Sequence, residues 1–242
     1  MIDSSKLRTL LWLIFFIGLG CRVESEPDRQ RSLETGMMTP RLVSSGYVPA
    51  KVLVGYYSLS GNTKKMAAAV AEGANRVKGV TVLKKPVADI TKSDLDSAHG
   101  LILGCPTHFA NIPGKMKTII DHWAWKLRVN LTNKIGGAFS TGGNFTGGKE
   151  HVVISLLLYM LNNRMIIVGP IYKQGDGGWG EIGASAATGV GDRGISEVEL
   201  ADARKLGERV GRVVKNGTGL FTHSNTVTIE PEASSSEIKR KH

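Results

Sequence analysis

Three hydroxyls, a glycine and an amide crowd into Ser58-Leu59-Ser60-Gly61-Asn62-Thr63, where a short apolar run gives way to a helical pattern. Side chains of Ser58, Ser60, Asn62 and Thr63 can ring a phosphate. The first N–H groups of the following helix point at it, and the helix dipole favours its charge. Gly61 lets the backbone come close. No lysine follows in a Gly-Lys-Ser/Thr arrangement, so this is not the loop of a nucleoside-triphosphate site. By itself the segment also allows a plain reading, a tight turn with an ordinary Ser/Thr cap. Two further segments are rich in small and hydroxyl residues. One is Gly104-Cys105-Pro106-Thr107-His108-Phe109-Ala110-Asn111-Ile112; the other is Ser140-Thr141-Gly142-Gly143-Asn144-Phe145-Thr146-Gly147-Gly148-Lys149-Glu150.

The elements around these segments alternate. Lys51–Tyr57 is a β-branched apolar run of the kind that forms a buried parallel strand. A helix from Thr63 follows, with Met66 and Val70 four apart among alanines. Val80–Leu83 and Gly100–Gly104 read as the second and third strands, and Pro113 opens a helix carrying Met116, Ile119, Ile120 and Trp123. Ile135–Ser140 is the fourth strand, His151–Asn162 a helix, and Met165–Gly169 the fifth strand. Ser196 and Glu199 form a capping box for a last helix, with Leu200, Ala203, Leu206, Val210 and Val213 facing inward. This rhythm predicts a doubly wound α/β domain: a five-stranded parallel sheet, order 2-1-3-4-5, with helices on both faces. The ligand then lies at the β1/β3 switch point, and all three motifs fall at carboxyl ends of strands.

Taken together, the three motifs resemble those of flavodoxin-like proteins, and in particular WrbA-type NAD(P)H:quinone oxidoreductases. The first resembles the family's Ser-x-Ser/Thr-Gly-Asn-Thr phosphate loop. The second is similar to Gly-x-Pro-Thr-x-Phe-Gly-Asn, and the third to Ser-Thr-Gly-x-Gly-Gly-x-Glu. The resemblance covers about residues 50 to 215, including Gly191-Asp192-Arg193. It implies an FMN site. Ser58, Ser60, Gly61, Asn62 and Thr63 would hold the phosphate, and Pro106, Thr107, His108 and Phe109 would border the isoalloxazine ring, with backbone N–H groups at its pyrimidine edge. Ser140, Thr141, Gly142 and Gly147 would hold the ribityl-phosphate and the ring's other edge. NADH or NADPH would supply a hydride, and a quinone would collect the two electrons; the flavin carries the chemistry, so no side chain is assigned as catalytic. Taken residue by residue, Phe109 also reads as plain core, His108 as an exposed loop residue, and the glycines as loop geometry. Cys105 reads as a buried small hydrophobe and Trp123 as core. The chain departs from the family at His108, where Arg or Tyr is common, and at Ala110, where Gly is common. Asn162-Asn163-Arg164-Met165 replaces the family's His-His-Gly-Met. An electron-carrying flavodoxin and a fold without redox turnover stand as the other readings. Carriers are usually acidic, whereas this chain has a net charge of +10.

That charge suits a solvated basic surface or an anionic partner. No zinc-finger, basic-zipper or RNP-type motif points to nucleic acid. Cys21 and Cys105 form no disulfide framework, and the six histidines have no metal-ligand spacing, so no metal is assigned. Residues 1–21 read as an export signal: Lys6 and Arg8, then the apolar Leu10–Ile17, then Gly18-Leu19-Gly20-Cys21, which resembles a bacterial lipobox. The expectation is a membrane-associated lipoprotein. Alternatives are an uncleaved anchor, plain secretion, or a cytoplasmic protein with a mis-assigned start. Residues 22–49 read as a linker, 50–215 as the FMN-binding domain, and 216–242 as a disordered tail. A homo-dimer or tetramer is a further expectation of the resemblance.

Overall fold

The computed structural model describes residues 49–172, 182–189, 191 and 193–217. The expectations for the signal with Cys21, for the linker up to 48, for Asp192 and for the tail beyond 217 lie outside the described residues. The chain runs β1 (Ala50–Tyr56), α1 (Asn62–Asn75), β2 (Val80–Pro86), a 3₁₀ turn (Val87–Asp89), α2 (Lys92–Ser97), β3 (Gly100–Pro106), α3 (Gly114–Trp125), β4 (Ile135–Gly142), α4 (Lys149–Asn162), β5 (Ile166–Ile167), β6 (Ala184–Ala187) and α5 (Glu197–Asn216). Every strand pair is parallel, in the order β2-β1-β3-β4-β5.

The expected five strands stand in the expected order, and a sixth strand is attached. Only Ile166 and Ile167 pair as the fifth strand, against Ile135 and Gly136; a sixth strand, β6, pairs with Phe139–Gly142 farther along the same β4. The fifth position of the sheet is thus shared by two short pieces. Val168 still donates to Gly136 O, but Pro170 has no N–H and ends the ladder. Ala-Ser-Ala-Ala carries none of the β-branched or aromatic residues that mark a strand, which is why β6 escapes sequence reading. The short α2 was also unexpected, although its signal is present: the Thr91 hydroxyl accepts from Asp94 N–H and the Asp94 carboxylate from Thr91 N–H.

Strand alternation divides the core. Val52, Val54, Tyr56, Ile102 and Phe139 face α1 and α5, whereas Leu53, Leu101, Leu103, Cys105 and Ala138 face α2, α3 and α4. Trp123 lies buried in the second cluster, as its helical spacing implies. α1 and α5 meet backbone to backbone: a methyl group on Gly73 would come within 1.9 Å of Arg204 O, and one on Gly207 within 1.9 Å of Val70 O. That close crossing seats α1 firmly, so the loop at its N-terminus is presented by a rigid element.

Candidate functional site

Parallel β1, β3 and β4 open on one edge, and the loops after them converge there. In the first loop Gly61 takes a φ of 100° and stands as N-cap of α1 without a side-chain cap, and no acidic residue lies in the first turn. Ser58 Oγ accepts the N–H groups of Gly61 and Lys64, each at 3.2 Å, which folds the loop over and leaves the serine's own proton to give. Asn62 Nδ2 donates to Ser60 Oγ at 3.3 Å. The positive end of α1 therefore faces outward among neutral donors, an arrangement that receives an anion.

One strand end stitches the other loops together. Side chains alternate along β4, so Thr141 turns toward α1 and Ser140 toward the opposite face. Thr141 Oγ1 lies 2.8 Å from Thr63 Oγ1, and both residues are buried. Ser140 Oγ donates to Cys105 O at 3.0 Å; that uses its only proton, so Thr107 donates the 3.0 Å bond between Thr107 and Ser140. Thr107 N–H donates to Thr141 O at 2.7 Å, and Thr188 N–H to Gly142 O at 2.8 Å. Cys105, fully buried, has its thiol pushed up to about 12 by burial, which makes it the inert hydrophobe expected.

His108 and Asn111 exchange backbone hydrogen bonds at 3.0 Å and close a tight turn. Its middle residues are left-handed, Phe109 at φ 49° and Ala110 at φ 60°. Phe109 is fully exposed, which overturns the core reading for it. His108 is half-buried, its ring edge-on to Tyr57 with centroids 6.4 Å apart. The amides of Thr107 and His108 are already used within the fold. Those of Phe109 and Ala110 have no protein acceptor among the described residues, so they are the ones left for a ligand's edge. The loop after β4 closes against this turn: Gly148 has a φ of 87°, and a Cβ there would meet Ala110 at 2.8 Å. Gly147, half-buried, packs within the loop beside Asn144.

Leu59, Phe109 and Phe145, one from each loop, are exposed apolar side chains around this edge. Such a rim beside hydroxyls and an open helix end suits a flat, partly apolar ligand with a phosphate. A cleft of about 410 Å³ between Phe145, Arg193, Ile195 and Glu199 flanks it on the β6 side. Among the described residues no group of His, Cys, Asp and Glu is placed to hold a metal ion.

The model for NADPH-dependent FMN reductases matches residues 50–180. The chain belongs to that family. A protein named NAD(P)H dehydrogenase (quinone) from Geotalea uraniireducens is 34% identical over 197 residues, covering 67% of this chain and 97% of its own. One of the same name from Azorhizobium caulinodans is 36% identical over 193 residues, covering 67% and 96%. A flavodoxin from Aquifex aeolicus is 37% identical over 164 residues, covering 68% and 86%. Among solved structures, a flavodoxin, WrbA-like protein from Agrobacterium tumefaciens superposes with a TM-score of 0.55 at 24% identity, covering 69% of this chain and 98% of that one.

In this member of the FMN reductase family the structure brings the thirteen sequence-named residues to one edge, each on its expected loop or strand end. Two residues near the site were missed. Thr188 fastens β6 to Gly142. Lys149, the first residue of α4, is buried at 3% exposure and donates to Asn144 O and Phe145 O, both at 2.7 Å. The only sequence signal for it is a lysine directly after a glycine pair at a helix start, where an exposed side chain is the ordinary outcome.

Proposed function

We propose that this protein is an FMN-dependent oxidoreductase that takes a hydride from NADH or NADPH and passes two electrons to a quinone. The observation that carries this reading is the convergence of three loops: a helix N-terminus among hydroxyls, beside a rim of exposed apolar side chains. The residues fit FMN. Ser58, Ser60, Asn62, Thr63 and the first N–H groups of α1 would hold the phosphate, and no metal is required for a monophosphate. The amides of Phe109 and Ala110 are donors for a ring edge, and Phe109 and Phe145 are apolar surface for its faces. Thr141 and Thr107, each bonded to a neighbouring hydroxyl, keep the phosphate loop and ring loop at a fixed spacing. When bound, FMN supplies the two-electron chemistry; the net reaction is NAD(P)H plus quinone plus a proton, giving NAD(P)⁺ and hydroquinone. The relatives named NAD(P)H dehydrogenase (quinone) support the donor and acceptor.

A second reading, an electron-carrying flavodoxin, draws on the Aquifex relative. The two part on turnover. The purified chain is loaded with FMN, then NADH and benzoquinone are added. Steady NADH oxidation supports the oxidoreductase, and a yellow protein that oxidises no NADH supports the carrier.

Two finer expectations join this proposal. Self-association finds support in Ile154, Leu158 and Leu161, exposed apolar side chains along one side of α4; sedimentation of a Leu158→Glu variant tests it. Membrane attachment would run through residues 1–21, with Cys21 as the lipidated position. Among the described residues no helix is long and apolar enough to cross a membrane. Mass spectrometry of the mature N-terminus from the membrane fraction separates lipidation from the alternatives.

A further inference from the structure

Lys149 has an unusual position for a lysine. It opens α4, where the helix dipole is positive and a cation is disfavoured. It is 3% exposed, so its ammonium has also lost most of its water. Its Nζ donates to the carbonyls of Asn144 and Phe145, 2.7 Å away in each case. Among the described residues no carboxylate pairs with it, and its neighbour Glu150 is exposed. The aliphatic stem lies under the end of β4: a Cβ on Gly142 would meet Lys149 Cγ at 2.9 Å and Thr107 Cβ at 3.5 Å. The charge is thus built into the wall shared by the loops after β3 and β4, beside Thr107 and Gly142.

We propose that Lys149 is a positioning residue of the flavin site: it clamps the loop after β4 through two carbonyls and leaves a positive charge in the site wall that favours the reduced flavin. The inference rests on the FMN reading above. Hydride uptake from NAD(P)H makes the bound cofactor more negative. A fixed cation in a desolvated wall stabilises that state over the oxidised one, whichever way the ring lies. The oxidised cofactor gains less, so the charge acts on the equilibrium between the two states rather than on overall binding. Neutral donors would suffice to hold the loop; the buried charge adds the redox bias.

Three variants separate clamp from charge. Lys149→Met removes both, Lys149→Gln keeps N–H donors without the charge, and Lys149→Arg keeps the charge. The midpoint potential of bound FMN is measured by dye equilibration. Amide hydrogen exchange over residues 143–148 is followed in the cofactor-free protein. Met and Gln lower the preference for reduced over oxidised FMN about tenfold, about 30 mV for a two-electron couple, and Arg retains it. Met speeds exchange over 143–148, and Gln does so less. Unchanged potentials in both Met and Gln overturn the charge role, and unchanged exchange in Met overturns the clamp. A wild-type chain that takes up no FMN overturns the proposed function and the charge role together, while the exchange measurement still decides the clamp. If Met does not fold, Gln alone decides the charge.

Discussion

Two lysines at opposite ends of β4 do the same local chemistry to different ends. Lys134 precedes the strand, and its Nζ donates to Asp96 O at 2.9 Å and to Ala98 O. Lys149 follows the strand and donates to Asn144 O and Phe145 O. Lys134 stands at the C-terminus of α2, where a cation meets the negative end of the helix and unsatisfied carbonyls. Burial and nothing else lowers its pKa from the usual lysine range, and Asp96 opposes the shift. Lys149 stands at a helix N-terminus, where the same dipole works against it. The first is placed where helix stability asks for a cation; the second is placed where only the site does. Burial of a charge therefore does not by itself separate structural from functional residues. The direction of the neighbouring dipole and the nature of the adjacent loops do.

Removing the first lysine tests that contrast hardest. Lys134→Met leaves two carbonyls without their donor, so stability in urea falls by about 1–3 kcal/mol. FMN affinity, measured by quenching of flavin fluorescence, stays at the wild-type value. An equal loss of FMN affinity would erase the distinction between the two strand ends. Next in size is Thr63→Val, which leaves the buried Thr141 hydroxyl without its 2.8 Å partner. FMN binding weakens roughly tenfold, because the phosphate loop is no longer tied to β4; titration of the apoprotein checks this.

A smaller effect is expected at Ala110, held at φ 60°. Ala110→Gly relieves left-handed strain of about 1–2 kcal/mol and adds unfolded-chain entropy of about 0.5–1 kcal/mol. A net gain of about 0.5 kcal/mol is read as a rise in the urea midpoint. The smallest concerns pH at the Lys134 end. Burial, then the charges of Lys134 and Lys51, lowers the pKa of His99 below the usual histidine value. His99 Nδ1 accepts the Lys51 N–H at 3.0 Å, which protonation forbids. A depressed folded-state pKa means the unfolded chain binds the proton first. The His99 contribution is therefore complete above the ordinary histidine range and is lost as pH falls through the folded-state value. His99→Asn flattens that stretch of a stability-versus-pH curve, while the pH dependence of the flavin potential stays as in wild type.

Much of the fold was legible because apolar runs and helical spacings repeat along the chain. Lys51–Tyr57 and Gly100–Gly104 announce buried strands, and Ser196 with Glu199 announces α5, whose capping box is present. β6 was not legible, since its alanines gain strand structure only by pairing with β4. The thirteen candidate residues read as three motifs, because each motif is local. Their bonds to one another were not: Thr63 and Thr141 are 78 positions apart and meet only across the sheet edge. Phe109 shows the same limit. Its type fits a core or a rim, and only the left-handed turn through Phe109 and Ala110 turned it outward.

The sequence alone determined a parallel α/β domain with a hydroxyl-rich loop after its first strand, because periodicity and turn chemistry are written residue by residue. Tertiary structure decided three things: which hydroxyls bond, which amides stay available, and that Lys149 points inward beneath Gly142. Each depends on how strands in register bring distant loops together, and a buried lysine reads like any surface lysine until the loop over it is in place.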